Sequence, residues 1–246
     1  MSGSLDIQQL LIFPLKDNEA RKNFLIAALV YLAASIVPVV PVVFILGYVA
    51  RILRQTINGE ELRMPAWEDW ETLLQDGILL FGVRLVYTLP LMIVLAPVYI
   101  LAAFTPVFAQ SGNTGDGPAL LPLFILGIAS IVILPISLAV GLIVPAAEAH
   151  TALHSDFAAG FRVREWWAVF RSNWRGFLLA LIIAMLSGVV VTSIVGLAMI
   201  TLVLICALPL ILPGLSAYTT LIMYAAFAQA YKDGKNRLGG PSHTGV

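Results

Sequence analysis

The chain has 246 residues, 60% of them hydrophobic and 11% charged, with a mean hydropathy of +0.94. Soluble domains carry charge on about a quarter of their residues, so this composition excludes an ordinary water-soluble globule. It describes a polytopic integral membrane protein. A formal net charge of zero says little by itself, because the bases sit in a few clusters, and it is their positions that divide the chain.

Residues 1–15 lack a basic leader and a small-x-small cleavage site, so no cleavable signal peptide is expected. The apolar stretch LDIQQLLIF (5–13) is too short to span and is expected to lie along the membrane surface. The first long apolar run, 24–50, has bases at both ends: Lys16, Arg21 and Lys22 before it, Arg51, Arg54 and Arg63 after it. A single crossing does not account for bases on both sides. Pro38 and Pro41 remove helix donors, and two helices of about 22–37 and 42–57 are expected, forming a hairpin.

The segment GEELRMPAWEDWETLLQDG (59–77) carries six acids against one base. Pro65 suits a helix first turn, and Glu68, Asp69 and Glu71 suit its positive end. Trp67, Trp70, Leu74, Ile78 and Phe81 share a stripe leading into the next span. An acidic loop followed by a Trp-bearing amphipathic turn reads as an elbow at headgroup level, with Arg51 or Arg54 as partners for its acids. Runs 77–104 and 119–147 read as single spans, joined by 105–118, which has no basic residue. Short loops rich in Lys and Arg stay cytoplasmic. Segments 51–76 and 148–175 and the C-terminus are therefore expected inside, with 105–118 outside. The 56 residues of 176–231 have to cross twice, breaking near Gly196 or within LPLILPG (208–214). The expected architecture is an all-α helical bundle of about five to six membrane helices in one transmembrane domain (1–246). It has an interfacial N-terminal segment (1–21) and a disordered tail (232–246).

Candidate chemistry is sparse. In GFRVREWWAVFRSNW (160–174), Val163, Trp167, Phe170 and Trp174 share one helical side, with Arg164, Glu165 and Arg171 opposite. That is the pattern of an in-plane interfacial helix drawn to anionic lipid. His150 and His154 are four apart with Glu148 and Asp156 beside them, a spacing that can share a metal ion. The zinc-protease pattern would need Glu at 151, where the chain has Thr151. Polar residues at a helix exit explain the pair without a metal. Arg84 lies inside the second span and reads as a snorkelling or structurally paired arginine. No other acid, histidine or lysine falls within the expected spans. Cys206, the single cysteine, rules out an intrachain disulfide. It has no basic neighbour and reads as a small buried hydrophobe.

The stretch LGYVARILRQTINGEELRMPAWEDWETLLQDGI resembles a prokaryotic membrane-protein family, domain of unknown function 4013. That family shows a Gly-Tyr followed by spaced arginines, a Gly-Glu turn, a Leu-Pro with aromatic and Asp residues, and an Asp-Gly opening a span. The matching positions are Gly47, Tyr48, Arg51, Arg54, Gly59, Glu60, Pro65, Trp67, Asp69, Asp76 and Gly77, with Met64 where the family usually has Leu. FPLKDNEARKNFLIAAL and DFAAGFRVREWWAVFRSNW resemble it more loosely. The resemblance implies a bacterial or archaeal cytoplasmic-membrane protein with no established activity.

The sequence thus leads to an integral membrane protein without a catalytic motif, cofactor or nucleic-acid partner. It is expected to serve as a non-enzymatic scaffold or accessory subunit, in contact with membrane lipids and with other subunits or copies of itself. Tyr48, Arg51, Arg54, Trp67, Asp69, Arg84, Arg164, Trp167 and Arg171 are its expected cytoplasmic interaction surface. The rival reading is a carrier for a small or amphiphilic substrate, sited where Pro38, Pro41, Pro90, Pro97, Pro209 and Pro213 free backbone groups. A metal-dependent membrane enzyme using His150 and His154 is the third.

Overall fold

The structure, a computed structural model, describes residues 7–37, 39–110, 117–200 and 202–239. These residues form helices without a strand among them: α1 (Ile7–Ile12), α2 (Asn18–Ala34), α3 (Val39–Ile57), α4 (Trp70–Gln110), α5 (Gly117–His154), α6 (Val163–Ser172), α7 (Trp174–Ala198) and α8 (Leu202–Leu238). Short 3-10 turns at Phe13–Leu15 and Phe157–Phe161 join α1 to α2 and α5 to α6. Five stretches are long and apolar enough to cross a membrane: Val39–Ile57, Trp70–Val98, Ile133–His154, Trp174–Ala198 and Ile205–Leu238. The all-α membrane architecture expected from the sequence is what is found.

Local chemistry sets the boundaries. Asp17 caps α2 by accepting from the Ala20 N–H at 2.7 Å. The expected proline-broken hairpin is present as α2 and α3, with Pro41 in the first turn of α3, where its missing donor costs nothing. Pro38 lies outside the described residues. At the far end of α3, Gly59 adopts φ +89°. Its N–H bonds the Thr56 carbonyl, and the Glu60 N–H bonds the Gln55 carbonyl. This is a Schellman stop, which favours glycine because the left-handed conformation crowds a Cβ.

Two boundaries differ from expectation, and between them one break falls at the first of its two expected places. Pro65 is not in a helix: 60–69 is an irregular strap, and α4 begins at Trp70. Helix α7 ends at Ala198 beside Gly196, whereas Pro209 and Pro213 lie within an unbroken α8. The C-terminal segment from 232 is helical as far as Leu238 rather than disordered. Its last turns are pinned to α6, for the Ser172 hydroxyl donates to the Gly234 carbonyl at 2.8 Å and Arg237 donates to the Ser172 carbonyl at 3.0 Å.

Contacts divide the chain, read from sequence as one domain, into two compact units: Met1–Val83 with Pro145–Val246, and Arg84–Val144. In the first, α8 packs on α7, α2, α3 and α6, and Ile52, Leu53, Leu73, Leu80, Ala225 and Phe227 lie in the core. Helices α3 and α4 approach through two glycines. A Cβ on Gly47 would strike the Leu73 carbonyl, and one on Gly77 would strike that of Val43. Each glycine thus faces the backbone four residues before the other, so the helices touch backbone to backbone.

The second unit holds the remaining portions of α4 and α5. There the Thr88 hydroxyl donates back to the Arg84 carbonyl at 2.8 Å, and Leu95 and Val144 are buried. Met92, Ile93, Val94, Ile131 and Leu134 are exposed, as befits surfaces meant for lipid. In the first unit, Cys206 is likewise exposed rather than buried.

Candidate functional site

Helix α3 presents Tyr48, Arg51 and Arg54 at successive turns toward the strap and its neighbours. Arg51 is bound chiefly to backbone: it donates to the carbonyls of Ala66 (3.2 Å), Glu68 (2.7 Å) and Asp69 (2.9 Å). The Asp69 carboxylate stands 4.0 Å away. The Tyr48 hydroxyl donates to the Pro65 carbonyl at 2.7 Å, and its ring stacks on Trp67 at 4.2 Å and 7°. The Trp67 indole N–H donates to the Asn23 carbonyl of α2 at 2.9 Å. Leu62, Met64 and Trp67 of the strap are buried. The acidic segment is therefore tied down across α2 and α3 by contacts that mostly spare its carboxylates.

Asp69 has φ +53°, a conformation that aspartate tolerates better than most residues because its short side chain bonds nearby backbone. It accepts from the Thr72 hydroxyl at 2.5 Å and the Thr72 N–H at 3.5 Å, which caps α4. The Thr72 hydroxyl foremost holds this carboxyl below the ordinary aspartate range; desolvation opposes it, and the Thr72 N–H and Arg51 add to the lowering.

Arg54 is the joint between helices. It grips both oxygens of Asp76 at 3.1 and 2.9 Å, and donates to the Ala152 carbonyl and the Ser155 hydroxyl, each at 3.0 Å. One planar guanidinium thus links α3, α4 and the end of α5, a geometry lysine lacks. It also satisfies an end-of-helix carbonyl, where positive charge is favoured.

The same end of α5 carries Glu148, fully buried, which accepts from the Tyr224 hydroxyl at 2.6 Å. His150, also buried, contacts the Tyr231 hydroxyl at 2.5 Å through Nδ1 and Glu165 at 3.1 Å through Nε2. A carboxylate accepts, so the proton sits on Nε2, and Nδ1 accepts from Tyr231. His154 Nδ1 donates to the His150 carbonyl at 2.9 Å. Asp156 caps the following 3-10 turn through the Ala158 N–H and pairs with Arg162 at 2.9 Å. Both imidazoles are thus tied to protein groups and Asp156 is turned to other work. Among the described residues no group of three or more His, Cys, Asp or Glu could hold a metal ion.

Helix α6 is set on α8 by Trp166 and Val169, which are buried, and by Asn173, whose amide donates to the Ala230 carbonyl at 2.9 Å. Trp166 donates to the Gly160 carbonyl at 3.1 Å. Arg164, Trp167 and Arg171 are exposed, as are Val163 and Trp174; the expected apolar stripe faces outward except at Phe170, which is half-buried against Phe177.

The expected interaction surface therefore separates into three parts. Tyr48, Arg51, Arg54, Trp67 and Asp69 come together, but Tyr48 and Trp67 are buried and the two arginines are spent internally. Arg164, Trp167 and Arg171 lie on the outer side of α6. Arg84 belongs to the second unit, half-buried and engaged. Sequence reasoning missed Glu148, Tyr224, Tyr231 and Glu165 as partners, and it placed no acid inside a span. Helix α5 carries its apolar stretch through His154, so Glu148 and His150 fall within it. The seven-residue spacing of Tyr224 and Tyr231 was the available signal, because two turns of helix return a side chain to one face.

No curated protein and no solved structure matches the chain. A family model described as "Protein of unknown function (DUF4013)" matches residues 30–203, a span that takes in the strap, the Arg54–Asp76 pair and α6 but ends before Tyr224 and Tyr231. The chain belongs to that family.

Proposed function

We propose that this protein is a non-enzymatic scaffold or accessory subunit of a membrane assembly. In this reading it sits in a prokaryotic cytoplasmic membrane, with the strap, α6 and the end of α8 on the cytoplasmic side, where their arginines and lysines would be retained. The observation that carries the reading is how the polar groups at that end are used. Arg51, Arg54, Asp76, Glu148, His150 and Glu165 are joined to protein partners on neighbouring elements. Such a clamp fixes the positions of helices, which is what a docking platform needs.

Helix α7 offers a surface for a partner. Only 6% of its most apolar window is buried, and Gly188, Thr192 and Gly196 recur four residues apart on an exposed face. Added Cβ atoms at Gly188 and Gly196 would meet nothing within 4 Å. Small residues at that spacing let membrane helices approach closely.

Extraction in a mild detergent followed by mass measurement of the intact particle tests the reading. A homo-oligomer or a co-purifying membrane protein is expected. A clean monomer that moves a solute across proteoliposomes would overturn it in favour of a carrier.

A further inference from the structure

We infer that α6 is a binding surface for anionic phospholipid headgroups. The inference needs only that the chain resides in a bilayer, and it stands apart from the scaffold reading. The rotation of α6 is fixed from inside, by buried Trp166 and Val169 and by the bonds of Ser172 and Asn173 to α8. At roughly 100° per residue, that rotation orders the remaining faces. Val163 and Trp167 come next to the buried face, 49% and 40% exposed, and Trp174, 52% exposed, opens α7 just past the break at Asn173. Arg164 and Arg171 form the adjoining line, both exposed, and exposed Arg175 follows Trp174 at the start of α7.

The charges on this helix and at its two ends have different uses. Glu165 bonds His150 while staying exposed, and Arg162 is held by Asp156. Arg175 lies over the Trp174 ring at 5.7 Å. Among the described residues neither Arg164 nor Arg171 has a hydrogen-bond or ion-pair partner. The end of α8 adds exposed Lys235 and Arg237 beside Ser172, with half-buried Asp233 the acid among them. An exposed tryptophan stripe bordered by free guanidiniums matches one environment, with acyl chains below the stripe and phosphates level with the arginines. A protein partner would be expected to present acids to these arginines and to cover the tryptophans, so it makes a distinct outcome.

The test uses the full chain in nanodiscs of phosphatidylcholine mixed with phosphatidylglycerol, with bromine on the acyl chains of one lipid or the other. Quenching of Trp167 and Trp174 is read as the difference from a Trp167→Phe, Trp174→Phe variant. Each arginine near an anionic surface is worth roughly fivefold in partition. Brominated phosphatidylglycerol should therefore be enriched about tenfold or more at α6 over its bulk share, and less so at high salt. The Arg164→Gln, Arg171→Gln variant should lose the enrichment while unfolding at the same temperature in phosphatidylcholine alone. Equal quenching by both lipids in the native chain would overturn the inference. So would tryptophans shielded from both, the result expected of a protein bound there.

Discussion

Both oxygens of Asp76 lie against the Arg54 guanidinium, 3.1 Å from Nη1 and 2.9 Å from Nη2, while Nε of the same side chain holds the Ala152 carbonyl at 3.0 Å. Asp76 is almost wholly buried and Arg54 partly so. The pair therefore joins three helices at the point where an acid enters an apolar span.

Removing one partner of a buried ion pair leaves the other uncompensated, at a cost of about 3–5 kcal/mol. Because Arg54 is 29% exposed, Asp76→Ala should fall at the lower end, about 3 kcal/mol. Arg54→Lys should recover only part, because an ammonium cannot reach both oxygens and the Ala152 carbonyl together. Replacing both residues, Arg54→Met with Asp76→Leu, should destabilise less than Asp76→Ala alone. Unfolding in mixed micelles measures all three. A lysine variant as stable as the native chain would remove the guanidinium from the account.

The crossing of α3 and α4 makes a second prediction. Gly47→Ala and Gly77→Ala each drive a Cβ into a backbone carbonyl, which cannot yield as a side chain tip can. Each should cost about 3 kcal/mol or more, at or beyond the upper end for overpacking. Gly188→Ala and Gly196→Ala, which meet open space, should be neutral or slightly stabilising in detergent. The fraction of folded protein recovered after heating would report the contrast.

Tyr224→Phe removes the hydroxyl that Glu148 accepts from, and Tyr231→Phe the one that meets His150. Each takes a hydrogen bond from a buried polar group, so each should cost about 1–3 kcal/mol. Zinc added to the native chain should leave its unfolding temperature unchanged, because both imidazoles already have protein partners. A metal-dependent rise that disappears in His150→Ala, His154→Ala would show the pair to be a metal site.

The bond from Lys16 to Glu61, 2.6 Å long, ties the N-terminal turn to the strap. It holds the Glu61 carboxyl below its ordinary value of 4.5 and raises the Lys16 amine above 10.5. The lowered Glu61 value means a contribution that is present above about pH 4.5 and lost as pH falls through the lower folded value. The raised Lys16 value means one that is present below about pH 10.5 and lost as pH rises through the higher folded value. Both groups are exposed, so global stability should barely move. Hydrogen exchange in residues 7–15, corrected for its intrinsic pH dependence, should quicken roughly two- to fivefold on acidification. Glu61→Gln should show the faster rate already at neutral pH. An acid response that survives that substitution would assign the effect elsewhere.

Much of the fold is legible in the sequence because lipid imposes it. Proline at 41 and apolar runs bounded by arginine each carry a local physical reason, and the helices follow. The strap was harder to read. Pro65 and the acids of 68–71 suit a helix start, but the Tyr48 hydroxyl and Arg51 bind the carbonyls of 65, 66, 68 and 69 and keep that backbone out of a helix. Tertiary bonds there outweigh local preference. Glu148 escaped for a related reason: a buried acid needs a donor beside it, and the Tyr224 hydroxyl that it accepts from lies 76 residues away in sequence. The outward stripe of α6 was visible as periodicity. The buried Trp166 beside it was not, because adjacent tryptophans look alike until a neighbour chooses one.

The central claim is that the clamp fixes helices so that an exposed surface, foremost that of α7, meets another protein. A photoreactive side chain at Met185, which is 49% exposed and lies on α7 near Gly188, tests this in native membranes. The account predicts a discrete cross-linked protein band at that position, which should disappear when Gly188 and Gly196 are both replaced by leucine. Adducts with lipid alone, unchanged by those leucines, would contradict it.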